Sequence, residues 1–193
     1  MATAHINSAS SSSAVNSGTW RALAWLGVAL QAAALVAVWW LQRWGGLWTI
    51  GGFFVLSLAF MLVKDRIPSL MSFLIVCAAL LNAGGWAWNW FEQLVWYDEF
   101  IHTFTPFALV SALMYRLWTG GSINDAPGSG SFILKAALIG LGLGIAWEIA
   151  EMLFLNLHFT DTLVDLVLDT IGAALGGWFA GWAIHNQGVA QRS

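Results

Sequence analysis

The chain has 193 residues, 59% of them hydrophobic and only 9% charged, with a net charge of −3. A soluble domain carries roughly 25% charged residues, so this chain has too few to cover an aqueous surface. Its seven Lys and Arg form no basic stripe for nucleic acid, and a lone Cys77 excludes an internal disulfide or a Cys-x-x-Cys centre.

Residues 1–18 are Ser-rich, polar and uncharged, which predicts a tail without regular structure. The apolar stretch that follows is too long for a signal peptide and runs into Trp39, Trp40 and Arg43, so it reads as a retained first helix. Crossing a hydrocarbon core of ~30 Å takes about 20 apolar residues in a helix. The segments Trp20–Leu41, Gly46–Val63, Ser69–Trp90, Trp96–Trp118, Phe132–Leu157 and Thr162–Ile184 meet that requirement. The expected fold is therefore all-α, a polytopic bundle of six transmembrane helices over residues 19–186, with a short C-terminal tail at 187–193.

Pro68 suits the start of the third helix, and the Gly-, Ser- and Pro-rich stretch 119–131 is a loop. If six spans alternate, Arg21, Lys64, Arg66, Arg116, Lys135 and Arg192 fall on one side and Arg43 alone on the other. The excess of basic residues in short loops marks the cytoplasmic side, so both termini are expected there. Fourteen Trp against two Tyr suit headgroup boundaries, where an indole has both an apolar body and one N–H donor. Gly140, Gly142 and Gly144 in the fifth span, and Gly172, Gly176, Gly177 and Gly181 in the sixth, predict close backbone approach there.

The acids collect at the opposite end from the basic residues. Asp98 and His102 are four apart, Glu148 and Glu151 three apart, and Asp165 and Asp169 four apart, so each pair shares a helix face. Asp169 lies roughly 12 Å deeper than Asp161, at ~1.5 Å per residue. One Asp near the centre of a span costs about 2.5–3.5 kcal/mol on the insertion scale. Several together need relief from protonation, basic partners or a bound cation, and basic partners on that side are nearly absent. A carboxylate and imidazole donor set without thiols suits Zn²⁺, Mn²⁺, Fe²⁺ or Mg²⁺. The plainer alternative is that Trp, Thr and Tyr97 donors bond these acids and merely tie helices together. Glu92, Glu99 and Asp161 read as a solvated rim, His158 equally as a solvated loop residue or a ligand, and His5 and His185 as tail residues.

Three motifs carry a family resemblance. They are Tyr97-Asp98-Glu99-Phe100-Ile101-His102, then Trp147-Glu148-Ile149-Ala150-Glu151, then Asp165-Leu166-Val167-Leu168-Asp169 followed by Gly172 and Gly176. Their order and spacing resemble the YjdF-like family of bacterial inner-membrane proteins. They are also similar to the wider VanZ-like group, which has Asp-x-x-x-His, Glu-x-x-Gln and Asp-x-x-x-Asn-x-x-Gly in the same order. The resemblance covers roughly residues 70–180. It implies a multi-pass protein of the bacterial inner membrane; VanZ-like proteins are linked to glycopeptide-antibiotic tolerance.

The expectation from these residues is a metal-dependent enzyme, a membrane-embedded hydrolase, acting on a lipid or lipid-linked substrate. Asp98, His102, Glu148 and Asp165 are the expected ligands, and Glu151 or Asp169 the general base. A ligand set with an open position would activate a water. Two alternatives stand beside it: a proton- or cation-coupled transporter, and a non-catalytic subunit or assembly factor among neighbouring membrane subunits.

Overall fold

The computed structural model describes residues 15–62, 67–154 and 159–187, and among them there is helix but no strand. In chain order the helices are α1 (Gly18–Trp40), α2 (Trp44–Leu62), α3 (Ser69–Trp88), α4 (Trp90–Gln93), α5 (Tyr97–Thr119), α6 (Gly130–Phe154) and α7 (Phe159–Gln187). Among the described residues five of them, α1, α2, α3, α6 and α7, are long and apolar enough to cross a membrane. The chain is thus built for a membrane. α5 matches α1 in length, at 23 residues, but Asp98, Glu99 and Arg116 within it lower its apolar content. The cause lies in these charged residues, not in a shortage of length.

Helix ends show where local chemistry overrules apolar length. α3 stops at Trp88, two residues before its expected end, because Asn89 takes a left-handed φ of 62°. The chain then turns back on itself. The rings of Trp90 and Phe91 occupy the space that side chains at Gly84 and Gly85 would fill, so only glycine admits this fold-back. At the other end of α3, order begins earlier than the Ser-rich composition suggests. Val15 is buried and its carbonyl accepts the Leu70 N–H at 3.0 Å, while Asn16 Oδ1 accepts the Ser69 N–H at 3.4 Å. Ser17 caps α1. The remainder of the tail, like Lys64, Arg66 and Arg192, lies outside the described residues.

The long helices form two groups of three. α1, α2 and α3 pack together, and α7 packs extensively on both α5 and α6. Among the described residues, α3 against α5 is the contact between long helices that joins the groups. Asn82 on α3 spans it, donating to Thr105 Oγ1 on α5 at 2.8 Å. In the first group, Gln31 on α1 is fully buried and donates to Ser57 Oγ on α2 at 3.0 Å.

In the second group the small-residue stripes are used selectively. A Cβ at Gly172 would strike the Thr103 carbonyl oxygen, and one at Gly140 would strike the Ala173 Cβ. Gly142 faces open space, so it does not belong to the close-approach face expected of it. Phe132, Met71, Met114 and Ile75 fill the core near the end carrying Arg21, Arg116 and Lys135. At that end Lys135 bonds Asp125, and its ammonium, with the Ser131 hydroxyl, holds the Asp125 carboxyl below its ordinary range.

Candidate functional site

Short connections make successive long helices reverse direction, which brings the start of α5, the end of α6 and the start of α7 to one end of the bundle. Tyr97 anchors α5 there: its ring is buried and its hydroxyl donates to the Leu81 carbonyl at 2.8 Å. His102 lies one and a half turns further in and is 6% exposed. It is the centre of the site.

The imidazole has a carboxylate at each nitrogen. Nδ1 lies 3.2 Å from Asp169 Oδ1, a hydrogen bond. An ionised carboxylate oxygen only accepts, and opposite one Nδ1 is the donor of the pair. Nε2 then faces Asp98 Oδ1 at 3.7 Å and Asp165 Oδ1 at 4.0 Å. A histidine whose Nδ1–H is held by a carboxylate presents a fixed Nε2 lone pair, as metal-binding histidines commonly do.

α6 supplies the other side. Ligand atoms of His102, Glu148 and Glu151 lie within 4.8 Å of one another, and so do those of Asp98, His102 and Asp165. Glu148 is 2% exposed, and among the described residues neither of its carboxylate oxygens has a hydrogen-bond partner. Glu151 is half-buried and Asp98 is more open, with 37% of its side chain exposed. Gly144 permits this arrangement, since a Cβ there would collide with the Asp169 carboxylate. All six residues expected at the site, Asp98, His102, Glu148, Glu151, Asp165 and Asp169, therefore meet around one imidazole.

Three of the donors that could have tied the acids into simple helix links are engaged elsewhere, while the Trp147 indole N–H bonds Glu151 on its own helix. Tyr97 bonds Leu81, Thr103 bonds the Glu99 carbonyl at 2.9 Å, and Thr170 bonds the Leu166 carbonyl at 2.7 Å. Glu92 is exposed and accepts from Asn89 Nδ2 at 2.7 Å, and Glu99 is exposed, as a rim requires. His185 sits at the far end of α7. The Asp161 side chain and His158 lie outside the described residues.

Sequence reasoning missed the polar residues just beneath the cluster. Asn82 and Thr105 join His102 and Asp169 in the lining of a cavity of about 260 Å³, otherwise apolar. A single Asn in an apolar run was the available signal, since a buried amide in a span needs a partner. Pro106, also in the wall, has no N–H for the His102 carbonyl, so α5 lacks that backbone bond at the site.

Comparison with known proteins adds little chemistry. No family model matches the chain, and no solved structure matches it. An uncharacterised protein of Thermotoga maritima is 28% identical over 94 residues, covering 44% of this chain and 47% of the relative. The chain thus spans about half the length of that relative.

Proposed function

We propose that this protein is a membrane-embedded, metal-dependent hydrolase of a lipid or lipid-linked substrate, with its centre at His102. The observation that carries the reading is Glu148. A carboxylate this buried, with neither oxygen hydrogen-bonded among the described residues, is costly unless a cation or proton meets it. Five carboxylates surround one imidazole, so a single imidazolium would leave most of the charge uncompensated. A divalent cation relieves this, and the donor set of oxygens and one nitrogen suits Zn²⁺, Mn²⁺, Fe²⁺ or Mg²⁺.

In this reading His102 Nε2, Glu148, Asp165 and Asp98 hold the metal, which when bound supplies Lewis-acid activation of water. Asp169 has its near oxygen on Nδ1, so it orients the imidazole. Glu151, half-buried beside Glu148, is then the better general base. The reading also takes α5 as a sixth span, places both termini in the cytoplasm of a bacterial inner membrane and counts the chain among YjdF-like proteins. Elemental analysis of detergent-purified protein should find about one divalent metal per chain, and far less in Glu148→Gln. Wild type that stays metal-free after incubation with each candidate cation would contradict it.

One observation favours a second reading. Asp98, His102 and Asp169 form a chain of proton-exchanging groups at one end of the bundle, as proton-coupled transporters use. Gradient-driven uptake in vesicles, abolished by Asp169→Asn, would favour it.

A further inference from the structure

The cavity beneath the cluster runs along α5 from His102 to Leu109. That is seven residues, or roughly 10 Å of helix. One leaflet of a ~30 Å hydrocarbon core is roughly 15 Å deep. The cavity therefore has the depth of most of one leaflet, measured from the acid end inward.

Its walls come from both helix groups. Phe53 and Leu56 of α2 stand on one side and Leu143, Gly144 and Trp147 of α6 on the other. Among the described residues, α2 and α6 do not pack on each other. The residues at this gap face outward: Leu56, Leu143 and Trp147 are each more than 40% exposed. In a membrane that outward surface meets acyl chains. The inner wall, by contrast, is buried, with Ile75, Ala78 and Ala79 of α3 and Ile101 of α5 lining it. An empty apolar cavity forfeits dispersion contacts along its whole lining, and the adjoining hydrocarbon can restore them.

We propose that the gap between α2 and α6 is a lateral portal through which one acyl chain of a bilayer phospholipid enters, its polar end lying at His102 and Asp169. The substrate class follows: a glycerophospholipid drawn from the leaflet at the acid end. This deepens the hydrolase reading, and rests on it for what happens at the polar end but not for the occupancy of the cavity. The apolar walls select hydrocarbon. The polar pair at one end fixes which way the chain points.

The test uses the full chain in phosphatidylcholine vesicles doped with a phosphatidylcholine that carries a photoactivatable diazirine midway along one acyl chain. After illumination, mass spectrometry should locate adducts on the buried wall, at Ile75, Ala79 or Leu109. Leu143→Trp and Leu56→Trp, two surface changes at the mouth, should each lower wall labelling about tenfold, equivalent to ~1.4 kcal/mol of weakened binding. Labelling of the outward Val55 and Val167 should stay constant. Adducts confined to outward residues, or wall labelling indifferent to both mouth variants, would overturn the portal. So would wall labelling by a diazirine polyprenol where the phospholipid gives none. Metal content is measured on the same wild-type preparation: wall labelling in protein that takes up no metal sinks the enzyme reading alone, and metal bound without wall labelling sinks the portal alone.

Discussion

Glu148 and Asp169 occupy the same cluster but have different roles in the proposed reading, and substitutions should separate them. The Glu148 carboxylate is buried with neither oxygen hydrogen-bonded among the described residues, so as a carboxylate without a cation it burdens the fold. Replacing it by the neutral Gln should raise the stability of chelator-treated protein by about 2 kcal/mol, the order of the cost of a charge in a span. With metal the sign should reverse, because the variant has lost a ligand. Thermal unfolding of both proteins, with chelator and with metal, checks this crossing of midpoints. Asp169 acts through His102 Nδ1, and such supporting carboxylates typically carry 10–100-fold in metal affinity. Asp169→Asn should therefore weaken binding by about that factor, measured by competition with a chromophoric chelator, while His102→Ala should abolish it.

At the scale of the helix, the site depends on how closely α7 approaches α5. Gly172 is one turn below Asp169, and its Cα faces the Thr103 carbonyl with no room for a methyl group. Gly172→Ala must push two backbones apart, at a cost of about 1–3 kcal/mol for overpacking. The same step moves Asp165 and Asp169 away from His102. Gly142→Ala places its methyl in open space, so it should change stability by no more than ~1 kcal/mol. Unfolding midpoints in detergent should separate the two variants, and only Gly172→Ala should also lose metal affinity. The glycine pattern in the sequence pointed to close helices. It could not distinguish Gly142 from its neighbours, because glycine has no side chain to mark a face.

For the molecule as a whole, the apolar runs made the helices legible, since hydrocarbon length is a coarse and repetitive demand. The i+3 and i+4 spacing of acids was enough to forecast a common cluster, because each pair had to share one helix face. What the sequence concealed depends on tertiary contact: the turn at Asn89, the anchoring of Val15 and Asn16 on α3, and the gap between α2 and α6. The turn at Asn89 rests on Gly84 with Trp90 and Gly85 with Phe91, six residues apart, and the anchoring on residues far apart in the chain, Val15 with Leu70 and Asn16 with Ser69. The division into two helix groups has the functional consequence, since it leaves an apolar chamber against the acidic centre. The central claim, one metal held by His102 and carboxylates, is tested most directly by X-ray absorption at the edge of the metal bound to purified protein. The account predicts a single imidazole among oxygen donors, with the imidazole signal lost in His102→Gln. Sulfur scattering from Cys77, several imidazoles, or no bound metal at all would contradict it.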